Sequence, residues 1–462
     1  MKKTPFQLAM LFGEGAILAS AGAALYIVIS RVSGSQLLGQ YSLIFAWLML
    51  FQSIGSFGIP EFLLKEMGAH AAARSKYLVN GLVIGMVSAL LSAGVMVGMV
   101  SLFAYEPPVK QGLYVSAILL VPMMLNAICR GTFLAESKAQ FALLVTTVES
   151  AVVVTVNTYQ VLHGCTIDAL IVTLVVAKSF TVLLSVYLTG LRWLAVRNEF
   201  SGGSCRQLLP PIFTFALSNA LGLVATRINV IMLSWWSSLS VVGLYAAASK
   251  LVEVALMIPS IFAQMLLPRV ARTFSQRNGY DLTAHHHMLF TLFALVAPVG
   301  MGSIYFADDI VLLLFGPAFL DSAPILQVLM LFFLVETGDM LMGIVLKAAG
   351  LQRKDVQLFA ANPFTNIVLN IFLIPILGML GAALAKLAGV LVSTSLRYAY
   401  LRRHVMQIPW YLTLAKPVGT SLLLLSFCVP LSRHVHFLVL SVLYALLNGV
   451  FLFLLRDRLR PS

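Results

Sequence analysis

About fourteen long apolar runs, almost free of charge, follow one another along this chain and constrain its fold more than any other feature. They cover residues 8–30, 37–59, 77–104, 112–133, 139–162, 166–191, 208–233, 241–268, 288–306, 322–347, 356–376, 381–400, 410–430 and 437–455. Each is continuous and close to the roughly 20 residues that a helix needs to cross a bilayer. Membrane barrel strands are alternating segments of about 10 residues, so a barrel is excluded. Only 10% of the 462 residues are charged, and the mean hydropathy is +0.96. A soluble domain carries about 25% charged residues, so little of this chain is left for one. The runs predict an all-α polytopic membrane protein with about 14 transmembrane helices.

The basic residues predict an orientation, because cytoplasmic loops retain Lys and Arg. With the N-terminus inside, 22 of the 30 basic residues fall on inner segments and the adjoining helix ends. Three lie outside (Arg31, Lys110 and Arg433), and five lie deeper within spans (Lys178, Arg227, Lys250, Lys386 and Lys416). One missed helix would invert every later loop and destroy this asymmetry, so both termini are expected in the cytoplasm. The net charge of +13 then marks topology, and no nucleic-acid partner is expected. Lys2 and Lys3 open an uncleaved first helix, since no cleavage site followed by a soluble domain comes after them. Cys129, Cys165, Cys205 and Cys428 have no ligand spacing, and His285–His287 point in different helical directions in an inner loop. Neither a metal nor a cofactor is expected.

A shift of 204 residues lays 30–41 over 234–245 and matches Ser30 with Ser234, Ser33 with Ser237, Gly39 with Gly243 and Tyr41 with Tyr245. Lys65 then meets Arg269, and the first span meets the seventh. An offset of six spans is even, which predicts a parallel repeat. The expected division is an N-terminal lobe over 1–206, a C-terminal lobe over 207–404, and two further helices with a tail over 405–462, with substrate held between two six-helix lobes.

Three stretches carry a family likeness. They are Val242-Gly243-Leu244-Tyr245-Ala246-Ala247-Ala248 leading to Leu267-Pro268-Arg269; Leu312-Leu313-Leu314-Phe315-Gly316 with Ser322-Ala323-Pro324-Ile325-Leu326; and Asn366-Ile367-Val368-Leu369-Asn370 with Leu373-Ile374-Pro375 and Gly378-Met379-Leu380-Gly381-Ala382-Ala383. In order and spacing they resemble the C-terminal lobe of the polysaccharide-transporter branch of the multidrug/oligosaccharidyl-lipid/polysaccharide exporter superfamily, which includes the O-antigen flippases. The resemblance implies a MATE-like fold in a bacterial inner membrane. It also implies that a lipid-linked oligosaccharide, usually on undecaprenyl pyrophosphate, moves to the outer leaflet by alternating access.

Hydrocarbon about 30 Å thick excludes a pyrophosphate and its sugars, because each unpaired hydroxyl costs several kcal/mol. Charges within the spans are therefore the candidate site. Arg227, with no acid in its span, either snorkels to the outer headgroups or turns inward to phosphate or glycan. Lys250 and Glu253, at i and i+3, form a neutralising pair or a moderated headgroup site. Lys178 and Glu149 read as an ion pair between successive helices, or as substrate and coupling groups. Glu336 and Asp339 share one face with no base nearby in sequence, which suits proton or sodium coupling or a protonated, hydrogen-bonded pair. Glu14, Lys386 and Lys416 can each reach an interface. Arg31 is a loop charge or a contact for the departing headgroup. Pro122, Pro210, Pro211, Pro259 and Pro298 are candidate bends.

The leading expectation is a non-enzymatic flippase whose partners are the lipid-linked oligosaccharide, membrane lipids, an ion gradient and a polysaccharide polymerase complex. Alternatives are a small-molecule antiporter or wall-precursor lipid flippase of the same superfamily, and a membrane polysaccharide polymerase or ligase.

Overall fold

The computed structural model describes residues 5–69, 74–190, 202–275, 282–405, 410–431 and 436–456, all helical apart from short turns. It divides into two compact units, Met1–Ala246 and Ala247–Ser462.

The first unit contains α1 (Pro5–Ser56), α2 (Ile59–Ala69), α3 (Arg74–Leu102), α4 (Pro107–Ile118), α5 (Leu120–Ala135), α6 (Ala139–Leu162), α7 (Ile167–Leu188) and α8 (Gly202–Trp236). It ends in the first turns of α9 (Leu239–Ala255). α1 packs against α3, α6 and α8, and α2 packs against α5. The second unit continues with α10 (Met257–Ser275), α11 (Leu282–Tyr305), α12 (Ala307–Leu314) and a 3₁₀ turn (Pro317–Ser322). It is completed by α13 (Ala323–Ala348), α14 (Gln352–Phe359), α15 (Ala361–Leu377), α16 (Met379–His404), α17 (Trp410–Leu431) and α18 (Phe437–Arg456). α16 packs between α13 and α15, and α11 packs against α17.

All fourteen apolar runs of the sequence lie on helix, although not always on one unbroken helix. Among the described residues nine helices are long and apolar enough to cross a membrane, and a tenth qualifies if α11 and α12, bent by 81°, are taken together. The stretch Ala9–Ser56 is two helices that meet at Gly34, and it holds the first two expected spans. The connection expected over 30–41 is reduced to a break at one residue, Gly34, whose φ of 79° and ψ of −171° suit a residue without Cβ.

Proline sets several breaks. Lacking an N–H, it leaves the carbonyl four residues earlier without its helical donor and crowds it. α4 ends at Ile118, four before Pro122; α9 ends at Ala255, four before Pro259; α14 ends at Phe359, four before Pro363. Pro298 and Pro375 instead stay within α11 and α15.

Between helices in lipid the hydrophobic effect is small, so close backbone approach matters more. A Cβ built on Gly39 would overlap the carbonyl oxygen of Leu239, and one on Gly243 would overlap that of Ser35. The 204-residue shift that pairs Gly39 with Gly243 also pairs Ser35 with Leu239, so each contact is the image of the other. Beside them the hydroxyls of Ser35 and Ser240 share a hydrogen bond.

Candidate functional site

Three groups of polar side chains lie inside the first unit. Arg227 of α8 is partly buried, with its guanidinium carbon 5.7 Å from the centre of the Phe45 ring on α1. A cation over an aromatic face is attracted by the ring quadrupole, and this contact holds the guanidinium against α1. On the neighbouring helices Lys178 Nζ lies 2.6 Å from Glu149 Oε1, so the expected ion pair between α6 and α7 is present. A chain of hydrogen bonds extends from it. Thr181 donates to Glu149 Oε2 at 3.5 Å, Asn126 Nδ2 donates to Thr181 Oγ1 at 3.0 Å, and Ser185 Oγ donates to Asn126 Oδ1 at 2.8 Å.

Glu14, expected near an interface, is instead buried and held from α5. Arg130 donates to it twice, Nε at 2.6 Å and Nη2 at 3.0 Å, and Thr146 donates at 3.3 Å. The fork of an Arg matches a carboxylate in this geometry, so Arg130 neutralises Glu14. Arg31 is exposed on α1 beside the Gly34 turn, on helix rather than on the loop expected there.

The second unit holds the more buried charges. Lys250 Nζ sits 3.3 Å from Glu253 Oε2, so the i,i+3 pair forms; both side chains are partly exposed, and such a pair contributes about 1 kcal/mol or less. Lys386 of α16 is buried, its Nζ 4.8 Å from the centre of the Phe332 ring. Lys416 of α17 is exposed.

Glu336 and Asp339 do share a face of α13, but their surroundings differ. Asp339 is fully buried and is bound by Arg397 of α16 through an ion pair and a bond to its own carbonyl oxygen at 3.2 Å, and Thr394 donates to its carboxylate at 3.2 Å. The other arm of Arg397 donates to Asp355 of α14 at 2.6 Å, and Lys347 approaches Asp355 at 3.6 Å. The guanidinium also lies 5.1 Å from the Phe359 ring centre. Gly343 makes the space: a Cβ there would sit 3.3 Å from Asp355 Oδ1 and 3.4 Å from Arg397 Cζ. Glu336 Oε2 is buried without a hydrogen-bond partner.

Arg397 and Arg130, counted above among the 22 inner-side charges, are also members of ion pairs, Arg397 buried and Arg130 half-exposed. The signal was available, since each falls inside its apolar run, 381–400 and 112–133. Asp355, eight residues from Lys347, the nearest charge on α13, yet bonded to that helix's partner Arg397, carried no such signal.

Among the described residues no group of His, Cys, Asp and Glu is arranged to hold a metal. The side chains of His285–His287, Cys205, Cys428, Arg206, Pro210 and Pro211, and residues Lys2, Lys3 and Arg433, lie outside the described set.

The polar groups of this all-helical body are thus ion pairs and hydrogen-bonded chains. The fold is that of solved exporters. It matches "Lipid II flippase MurJ, inward closed conformation" with a TM-score of 0.79 at 14% identity, over 97% of this chain and 100% of that one. It matches an inward-facing multidrug resistance MATE family transporter of the MOP superfamily with a TM-score of 0.64 at 15% identity, over 84% and 94%. In sequence the chain is 24% identical over 426 residues to "Probable flippase AglR" of Haloferax volcanii, covering 88% of this chain and 86% of that protein. Residues 15–274 match the family described as "Polysaccharide biosynthesis protein", and the chain belongs to that family. This removes the expectation of a membrane polymerase or ligase, because the relatives are flippases and transporters.

Proposed function

We propose that the protein is a flippase that carries a lipid-linked glycan precursor, of the undecaprenyl-pyrophosphate type, from the cytoplasmic to the outer leaflet for surface polysaccharide assembly. The observation that carries this reading is the likeness to a flippase along nearly the whole of both chains. The expected lobes, 1–206, 207–404 and the helices of 405–462, alternate access around the polar groups, with both termini in the cytoplasm of a bacterial cell. A polymerase complex receives the product.

Arg227 is the headgroup ligand in this reading. Its guanidinium carbon lies over the face of Phe45, and the planar fork of an Arg suits phosphate oxygens. Lys250, moderated by Glu253, is a second headgroup contact, and Lys386 and Arg31 contact the glycan or headgroup along the way. Lys178 is bound to Glu149 and serves to hold the first unit together. Of the coupling candidates, Glu336 has the free buried oxygen that a proton or sodium ion would occupy, whereas Asp339, Glu14, Glu149 and Glu253 are engaged by bases.

Reconstituted vesicles loaded with a fluorescent short-chain polyprenyl diphosphate oligosaccharide provide the test, read by its accessibility to an external quencher or glycan-binding protein. Wild-type protein should expose the glycan, and Arg227→Ala should reduce the rate at least tenfold with the protein still inserted. Transport of a cationic dye with no exposure of the glycan would support the small-molecule exporter favoured by the MATE likeness instead.

A further inference from the structure

The last turns of α16 carry a basic cleft that the transport site does not use. Tyr398, Ala399, Arg402 and Arg403 line a cavity of about 500 Å³. α16 has 26 residues, so at 1.5 Å per residue it is about 39 Å long, about 9 Å more than the hydrocarbon core of a bilayer. If Met379 marks the opposite boundary in the orientation expected from the loop charges, residues 398–404 emerge at the depth of the headgroups on the cytoplasmic side.

The charge balance there is one-sided. Arg402 and Arg403 are exposed, and neither forms an ion pair among the described residues. Beside them Lys354 lies 5.5 Å from the ring centre of Tyr400, which stacks on His404 at 4.4 Å. Asp355 is the one carboxylate of α14 and of the last three turns of α16, and it is buried and already bound to Arg397 and Lys347. Two forked cations, a phenol and an open volume at headgroup depth suit a phosphate monoester or diphosphate, whose oxygens accept two parallel N–H bonds from each guanidinium. Arginines in the last turn also complement the helix dipole, but that role requires no cleft.

We propose that Tyr398, Arg402 and Arg403 form a phosphate site for a lipid headgroup in the inner leaflet. The site does not depend on the transport reading; only its use by the transported lipid rests on that reading. The chemistry is shared by a polyprenyl diphosphate and by an acidic phospholipid, and basic pockets facing the cytoplasmic leaflet bind such headgroups.

The full-length protein in nanodiscs of phosphatidylcholine, titrated with fluorescent geranylgeranyl diphosphate, tests the site. Arg402→Gln/Arg403→Gln should bind at least tenfold more weakly than wild type. Arg402→Lys/Arg403→Lys, which keeps charge and topology but loses the forks, should lie between. Replacing about a third of the lipid with phosphatidylglycerol separates the sources: competition in wild type that is lost in the Gln variant assigns the site to acidic phospholipid, and no competition assigns it to the diphosphate lipid. Arg227→Ala should leave the difference between wild type and the Gln variant intact, which keeps this site apart from the transport site. Equal binding by wild type and the Gln variant in both lipid mixtures overturns the proposal and leaves these residues as topology charges.

Discussion

Replacing Gly39 by Ala tests the backbone crossing of α1 and α9. Carbon and oxygen atoms rest at about 3.5 Å, and the new Cβ would fall well inside that distance from the Leu239 carbonyl, with the Gly243 nitrogen at 3.1 Å. The obstruction is backbone on both sides, so no side chain can swing aside, and the helices must part by about an ångström or more. Overpacking of this kind costs about 1–3 kcal/mol, and the hydrogen bond between Ser35 and Ser240 weakens with it. For a unit of about 250 residues each kcal/mol lowers Tm by about 2–4 °C. Gly243→Ala should cost the same, because its clash with Ser35 is the image of the first. The decisive measurement is the double variant in a thermal-aggregation assay in detergent. One separation relieves both overlaps, so the pair should lose little more Tm than either alone. Additive losses, or a Gly39→Ala protein as stable as wild type, would refute the crossing.

Removing Arg397 leaves the buried Asp339 and Asp355 uncompensated. Arg397→Ala should therefore cost about 3–5 kcal/mol, read as lost yield of monodisperse protein, with Arg397→Lys recovering only part. The two acids of α13 should behave differently: Glu336→Gln remains well folded and abolishes the dependence of flipping on an ion gradient, whereas Asp339→Asn lowers thermal stability. Gradient dependence that survives Glu336→Gln would remove that residue from the coupling role. Cys165, in the turn between α6 and α7, has its thiol pushed above the ordinary range by partial burial. Less thiolate is present near neutrality, so labelling by an impermeant maleimide should be slow at pH 7 and accelerate as the pH rises past about 8.5. If the termini are cytoplasmic this label enters only from outside, while the buried Cys129 stays unmodified.

Sequence alone determined the solvent and the element type. Runs of about 20 apolar residues have no stable alternative to helix in lipid, where every backbone group must be satisfied within its own segment. It also found the breaks set by Pro122 and Pro259, because a missing N–H acts locally, and the 204-residue pairing of Gly39 with Gly243. It found Lys250–Glu253 through i,i+3 spacing and Lys178–Glu149 through their similar depth on successive helices. Tertiary structure decided which charges are free. Glu336 and Asp339 look equivalent along the chain, but Arg397 reaches Asp339 across 58 positions through the space left by Gly343, and Arg130 reaches Glu14 across 116. Pairing of this kind depends on which helix faces pack together. A pattern of spans and loop charges records depth and side, not the rotation of each helix about its axis.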